Sequence, residues 1–199
     1  LKGNSSLKYL GLGEVGIGEA GARELHQALK GNRTLAYLDL MLNGIGAGAR
    51  EVASALKMNS SLTHLGLEDN GIGEGGAREL GLALQGNSGL ATLDLGWNDI
   101  GDGGARGLGL ALKENNSLAL LYLDGNNIGD AGVGALAEAL KENNNLSTLR
   151  LRGNDIGEGG ARDLAMALKA NSSLTSLRLG RSGLGEGGAR EMALALKEN

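Results

Sequence analysis

The chain has 199 residues, of which 37 are glycine, and it contains no cysteine, proline or phenylalanine. Without cysteine it cannot form disulfide bonds or a thiolate metal site. A formal net charge of −4 is too small to indicate a nucleic acid or a membrane surface as partner, and no apolar run approaches the length of a membrane span.

One short leucine pattern recurs along the whole chain. Leu-x-x-Leu-x-Leu starts at intervals of 28 residues, with a single interval of 27, at Leu7, Leu35, Leu62, Leu90, Leu118, Leu146 and Leu174. A fixed period of this size is typical of a solenoid, in which each unit buries its apolar face against its neighbours. No linker or change of composition separates the units. We therefore predict a single repeat domain over residues 1–199, in which residues 1–6 match the end of a preceding repeat.

The third unit, residues 62–89, illustrates what each repeat builds. The alternation around Leu65 and Leu67 predicts a short strand with one buried face, and the glycines within residues 70–73 permit a tight turn. Apolar residues at helical spacing follow at Ala77, Leu80, Ala83 and Leu84. Each unit is predicted to contain a strand, a turn, a helix and a return turn.

The alternation of strand and helix also determines the architecture. A helix between successive strands requires those strands to run parallel, with right-handed crossovers. Strands pack about 4.8 Å apart, whereas helices need about 8–10 Å, so the stacked units must curve. We predict an α/β solenoid, a horseshoe segment of seven βα repeats with a parallel sheet on the concave face and helices on the convex face.

Residues 90–105, which read Leu-Ala-Thr-Leu-Asp-Leu-Gly-Trp-Asn-Asp-Ile-Gly-Asp-Gly-Gly-Ala, carry a family resemblance. They resemble the ribonuclease-inhibitor class of leucine-rich repeats, which includes ribonuclease inhibitor, the sensor regions of NOD-like receptors and the Ran GTPase-activating protein. The resemblance covers all seven units and is specific for the fold but weak for function. It implies a turn asparagine that bonds backbone groups of its own turn and of the adjacent unit, here at Asn43, Asn70, Asn98, Asn126 and Asn154. Val15 and Ser182 replace this asparagine in the first and last units, which predicts less regular ends.

Apparent catalytic and cofactor motifs lose their significance once the repeat is recognised. G-x-G-x-x-G at residues 11–16 resembles a dinucleotide-binding loop, but related glycines recur in every turn and are explained by turn geometry. His26 and His64 have no activated nucleophile nearby in the predicted fold. Asp39 and Asp94 lie two strands apart, and no residue near them is expected to raise a carboxyl pKa. We predict no enzymatic activity, no cofactor and no metal site, since no compact loop supplies several oxygen ligands for calcium.

The positions that vary between repeats carry the functional prediction, because the fold does not dictate them. They lie two and four residues after the first leucine of each unit and at two further positions where the strand ends. All three tyrosines and the single tryptophan of the chain fall in this set, and Tyr, Trp and Arg are enriched in interface hot spots. The predicted protein-binding residues are Tyr9, Tyr37, Asp39, His64, Glu68, Asp69, Asp94, Trp97, Tyr122, Asp124, Arg150, Arg152, Arg178 and Arg181.

Charge is predicted to divide this surface along the chain. Among the predicted binding residues, the acidic ones lie within residues 39–124 and the arginines lie within residues 150–181. A protein of opposite polarity would dock in one orientation, and its docking would be sensitive to salt. We therefore predict a non-catalytic scaffold that binds a protein partner on its concave face. We expect a cytoplasmic location, because no signal-peptide pattern opens the sequence, and a monomeric state.

Two other functions remain open at this stage. The resemblance allows a regulatory segment that activates a small GTPase, or a sensor segment of the NOD-like receptor type. The uniform use of few residue types also fits an engineered repeat array without a natural ligand, and a fragment without terminal caps would allow end-to-end association. The sequence does not identify the partner or any flanking domain.

Overall fold

The computed structural model describes residues 3–198, in which seven strands alternate with seven α-helices. In chain order these are β1 (Tyr9–Gly11), α1 (Gly18–Leu29), β2 (Tyr37–Asp39), α2 (Ala49–Met58), β3 (His64–Gly66), α3 (Gly73–Gly86), β4 (Thr92–Asp94), α4 (Gly101–Glu114), β5 (Leu120–Tyr122), α5 (Asp130–Leu140), β6 (Thr148–Arg150), α6 (Glu158–Ala170), β7 (Ser176–Arg178) and α7 (Gly185–Glu198). A short 3-10 helix, Gly46–Gly48, precedes α2 in the one unit whose interval is 27 residues.

The seven strands form one parallel sheet in chain order, from β1 to β7. Each strand pairs with the next without any shift, so that equivalent repeat positions face each other. A given repeat position therefore forms a row that crosses the whole sheet. The predicted α/β solenoid is confirmed, with the sheet on the concave face and the helices on the convex face.

The core lies between the sheet and the helices and consists mainly of the repeated leucines. In β4 and the residue after it, Leu93 and Leu95 are fully buried, and Leu108 of α4 packs in the same cluster. At the two ends of the array the equivalent leucines, such as Leu10 and Leu177, are only partly buried. This follows from the solenoid geometry, because an end unit has a neighbour on one side only within the described residues.

A row of buried asparagines connects each unit to the one before it. Asn98 is completely buried, and its side-chain oxygen accepts hydrogen bonds from the backbone N–H groups of Asn70 at 2.9 Å and Ile72 at 3.2 Å. Its amide nitrogen donates to the carbonyls of Leu67 at 2.8 Å and Gly96 at 2.9 Å. One side chain thus satisfies backbone groups in two successive turns, as the family resemblance implies.

The prediction of less regular ends is wrong for the sheet, because β1 and β7 keep the common register. Since each asparagine reaches back to the preceding unit, the turn at Val15 is held by Asn43, whose oxygen accepts from the N–H groups of Val15 at 3.2 Å and Ile17 at 3.1 Å. At the other end Ser182 keeps the donor half of the arrangement. Its hydroxyl donates to the carbonyl of Leu179 at 2.6 Å and lies 3.4 Å from that of Leu151.

A second asparagine row, at the return from helix to strand, was not predicted. Asn87 is an example: its nitrogen donates to the carbonyls of Leu56 and Asn59 at 2.8 Å, and its oxygen accepts from the N–H of Leu90 at 2.8 Å. The equivalent buried side chains are Asn32, Asn59, Asn115, Asn143 and Asn171. Both turns of every internal unit are therefore fixed by buried amides, which makes the sheet a rigid platform for the side chains above it.

None of the helices in residues 3–198 combines the length and the apolar character that crossing a lipid bilayer requires.

Candidate functional site on the concave face

The first row of variable residues forms an aromatic stack at the N-terminal end of the concave face. The rings of Tyr9 and Tyr37 are stacked with their centroids 4.4 Å apart, and those of Tyr37 and His64 are stacked at 5.5 Å. The in-register strands bring these equivalent positions side by side. Tyr9 is 59% exposed and Tyr37 is 36% exposed, and the Nδ1 atom of His64 lies 2.8 Å from the hydroxyl of Thr63. The stack therefore presents a pre-organised aromatic surface to solvent.

The second row contains the two aspartates that the sequence placed two strands apart. Asp39 and Asp94 are separated in this row by Gly66 alone. Each carboxylate accepts a hydrogen bond at 3.0 Å from a backbone N–H two residues later, that of Met41 for Asp39 and that of Gly96 for Asp94. Both side chains are thus held by their own turns, and a gap without a side chain lies between them.

An arginine from the basic part of the face reaches back across the predicted charge boundary. The guanidinium of Arg150 lies 2.9 Å from the carboxylate of Asp124 and 4.7 Å from the centre of the Tyr122 ring. The second oxygen of Asp124 accepts a hydrogen bond at 2.8 Å from the backbone N–H of Arg152. The division of charge is therefore less sharp than the sequence indicates, since an acid and a base at its boundary neutralise each other.

Two adjoining hollows open on the concave face, and they share Glu68 and Asp94. The larger one, which we call the acidic–aromatic hollow, has a volume of about 450 Å³. It is lined by Tyr37, Asp39, Met41, His64, Leu65, Gly66, Glu68, Thr92, Asp94, Leu120 and Tyr122. The smaller one, which we call the mixed-charge hollow, has a volume of about 190 Å³ and is lined by Glu68, Asp94, Gly96, Trp97, Asp124, Arg150, Arg152, Gly153 and Arg181.

Most of the predicted binding residues therefore meet in these two hollows. Tyr9 lies outside them but extends the aromatic stack, whereas Asp69 and Arg178 line neither. Sequence reasoning did not select Thr92 and Leu120, which also line the acidic–aromatic hollow. They occupy the same repeat position as the stacked rings. Selecting residues by repeat position, and not by residue type, would therefore have included them.

The environment of the shared carboxylates differs from what the sequence suggested. Burial raises the pKa of Asp94, and hydrogen bonding to the Gly96 N–H and the charge of Arg150 oppose this rise. Burial also raises the pKa of Glu68, and the neighbouring charge of Asp94 raises it further. The prediction that nothing near Asp94 would raise a carboxyl pKa is therefore wrong, because burial raises this pKa most and the charges of Asp124 and Asp39 raise it further.

The third residue after each strand has a left-handed backbone in every unit. The φ angles at Glu14, Leu42, Asp69, Trp97 and Arg181 lie between 51° and 59°, and Gly125 and Gly153 occupy the same position in two other units. The fold therefore constrains a position that the sequence analysis treated as free to vary. Non-glycine residues in this region cost about 1–3 kcal/mol each.

Trp97 is the largest of these side chains and remains 57% exposed. Its indole lies directly above Gly125 of the next unit, where an added Cβ would be 2.5 Å from the ring. The glycine thus leaves the space that the indole occupies. Trp97 therefore packs on the next unit at the edge of the mixed-charge hollow, although more than half of it faces solvent.

Within residues 3–198, no group of three or more histidine, aspartate or glutamate side chains is arranged to hold a metal ion. The Asp39 and Asp94 carboxylates are each engaged by a backbone N–H. What the surface offers is aromatic area, partly desolvated carboxylates and exposed arginines, a combination suited to binding.

Comparison with known proteins agrees with the repeat architecture. A family model described as a leucine-rich repeat matches residues 31–51, 59–81, 86–109, 114–137 and 142–165, which together make up more than half of the chain. Comparison with curated proteins gives no significant match.

Two of the solved structures that resemble this chain illustrate the likeness. A structure of leiomodin-1 described as actin-binding site 2 is 25% identical, with a TM-score of 0.65 over 74% of this chain and 87% of that one. The C-terminal domain of a Caenorhabditis elegans tropomodulin is 17% identical, with a TM-score of 0.64 over 75% of this chain and 92% of that one. The second likeness concerns the fold alone.

Proposed function

Because the chain belongs to the leucine-rich repeat family, we propose that it is a non-catalytic scaffold that binds a protein partner on its concave face. The proposal places the contact on the aromatic stack, the two hollows and Trp97. Aromatic and arginine side chains on a rigid surface can be buried by a partner at little entropic cost, which is why they dominate interface hot spots.

The observation that carries the proposal is the conformation of Trp97. A bulky aromatic residue occupies a left-handed position with φ 56°, where two other units have glycine, and it remains 57% exposed. Neither backbone geometry nor core packing favours a tryptophan there, which supports a role for it in binding. The segregation of aromatic residues to this face supports the same interpretation.

The likeness to leiomodin-1 supports a protein as the partner class. The related leiomodin-1 structure is described as an actin-binding site. We extend from it only the class of activity, protein binding by a leucine-rich repeat array, and we leave the partner of this chain to be identified by experiment.

A display library of small protein binders selected against the intact chain tests the proposal. We expect Trp97→Ala and Tyr122→Ala each to weaken most selected binders by at least tenfold, about the effect of an interface hot spot. Leu110→Ala is the matched control, because Leu110 is also 57% exposed but lies on α4 of the convex face. Thermal unfolding would verify that all three variants fold. Binders that tolerate both concave variants and lose affinity with Leu110→Ala would contradict the proposal.

A further inference from the structure

The acidic–aromatic hollow has an unbalanced charge. Among the described residues that line it are three carboxylates, those of Asp39, Glu68 and Asp94, and neither a lysine nor an arginine. The nearest arginine in the second row, Arg150, already pairs with Asp124. Negative charge therefore accumulates in a partly desolvated space, and Arg150, the cation that acts on Glu68 and Asp94, is already paired with Asp124.

The shape of the hollow places these charges around a gap. Gly66 lies between Asp39 and Asp94 in the second row and provides the floor, since it has no side chain. Two strand spacings separate the backbones of the two aspartates by about 9–10 Å. Tyr37 and His64, which are stacked on each other, form one wall, and Glu68 lies where β3 ends. The Asp39 carboxylate borders this gap, since a Cβ added at Gly66 would lie 3.0 Å from its Oδ1 atom.

The structure contains an internal example of the chemistry that suits this gap. One strand beyond Asp94, the guanidinium of Arg150 lies over the Tyr122 ring at 4.7 Å and pairs with a carboxylate at 2.9 Å. The hollow offers the same two elements, an aromatic ring and carboxylates, without the guanidinium. A guanidinium suits them better than an ammonium group, because it is planar, stacks on rings and pairs with carboxylates in a bidentate manner.

We propose that the acidic–aromatic hollow receives an arginine side chain of the protein partner, with the guanidinium above Gly66, paired with Glu68 and Asp94 and stacked against the aromatic wall. This inference rests on the proposed recognition function and specifies the chemistry of the partner at one point. Charge complementarity supports it. Burial, the largest cause of the raised pKa of both carboxylates, also means that solvent would screen their attraction to a bound cation less.

Three capped tripeptides test the proposal directly: acetyl-Gly-Arg-Gly-amide, its lysine analogue and its citrulline analogue, which is nearly isosteric with arginine but neutral. In NMR titrations of the intact chain, we expect the arginine peptide to shift the amide resonances of Gly66 and Asp94. The lysine peptide should bind more weakly, and the citrulline peptide should give no saturable shift. Equal binding of the arginine and citrulline peptides would overturn the proposal.

Two charge-removing variants separate a specific site from general attraction. We expect Glu68→Gln to weaken the arginine peptide about two- to fivefold, the size of one solvent-exposed ion pair. Glu79→Gln removes the same charge from the exposed face of α3 and should leave the affinity unchanged. Equal weakening by both variants would show that net charge alone attracts the peptide and would exclude the site.

Binders from the display selection distinguish failure of this inference from failure of the proposed function. If Trp97→Ala abolishes their binding but replacing each of their arginines does not, the concave-face function stands and the arginine site is wrong. If the arginine peptide binds as described but Trp97→Ala does not weaken the selected binders, the hollow is a binding site and the proposed wider recognition surface is contradicted.

Discussion

The concave face of the sheet and the layer directly beneath it come from neighbouring residues of the same strands, yet they have opposite properties. In the fourth unit Leu93, Leu95 and Asn98 are completely buried, and every polar atom of Asn98 that the turns require has a partner. Asp94 and Trp97 lie between these residues in sequence and point to the other side. The two-residue period of the strand separates Leu93 and Leu95 from Asp94. The turn that follows separates Asn98 from Trp97, so residues that stabilise the fold and residues available for binding lie on opposite sides.

The two layers also differ in how favourable the environment of their side chains is. The buried layer is neutral, closely packed and hydrogen-bonded. On the face above it, the carboxyl groups of Asp94 and Glu68 have raised pKa values because they are partly buried, and Trp97 has a left-handed backbone. Residues at binding sites commonly sacrifice some stability in this way. Variants in the lower layer should therefore change stability, and variants in the upper layer should change the proposed binding.

The largest loss of stability is expected for Leu95→Ala. This side chain is fully buried in the core, and its removal leaves a cavity that costs about 2–5 kcal/mol. Chemical denaturation would measure the free energy of unfolding, with Leu110→Ala as the exposed counterpart that should change it by less than about 0.5 kcal/mol. Similar losses for the two leucines would contradict the separation of layers.

A somewhat smaller loss is expected for Asn98→Ala. The substitution leaves the buried N–H groups of Asn70 and Ile72 without their acceptor, which should cost about 2–3 kcal/mol. Asn98→Ser should cost less, because Ser182 shows that a hydroxyl at this repeat position still donates to turn carbonyls. If alanine and serine destabilise the chain equally in denaturation experiments, the donor half of the asparagine contributes nothing.

The sequence predicts the lower layer well and the upper layer poorly, for a physical reason. Residues such as Leu95 and Asn98 recur with the period, and each has a single role that the repeat imposes. The sheet, its register and its helices can therefore be predicted from the spacing of the repeats. Side chains of the face interact across units in ways that no period encodes. The reach of Arg150 to Asp124 is one such interaction, and the space that Gly125 leaves for Trp97 is another.

Burial was the second property that the sequence did not reveal. The raised pKa of Asp94 comes mainly from desolvation by the surrounding sheet surface, and only a folded structure shows how much solvent each carboxylate loses. The left-handed backbone at the third residue after each strand was also not predicted, for a related reason. Glycine occupies that position in only two units, Gly125 and Gly153, so residue type concealed a constraint that all seven units share.

Asp94→Asn should act in the opposite direction to the core variants and raise stability at neutral pH. A carboxyl whose pKa is raised in the folded state favours folding when protonated, below its ordinary value of 3.8, and this contribution is lost as the pH rises through the raised value. The amide keeps an acceptor for the Gly96 N–H but carries no charge. Thermal unfolding should therefore give a higher Tm for the variant at neutral pH, and the difference should vanish below 3.8.

Asp124→Asn provides the contrast on the same face. It removes the charge that pairs with Arg150 at 2.9 Å while retaining an acceptor for the Arg152 N–H. We expect it to lower the free energy of unfolding at neutral pH by about 1 kcal/mol. If both aspartate variants stabilised the chain, the ion pair would have no net value and the whole acidic surface would be unfavourable.

The smallest change in stability is expected for Trp97→Gly, in which two effects oppose each other. Glycine removes the cost of the left-handed backbone, about 1–2 kcal/mol, but it also removes the contact of the indole with Gly125. Asp69→Gly isolates the first effect, because Asp69 has φ 51° and is exposed at the same repeat position. We expect Asp69→Gly to stabilise the chain by about 1 kcal/mol and Trp97→Gly to change its stability by less, as measured by denaturation. A loss of more than about 2 kcal/mol in Trp97→Gly would mean that the indole stabilises the fold as a core residue does, and its exposure could then no longer be explained by binding.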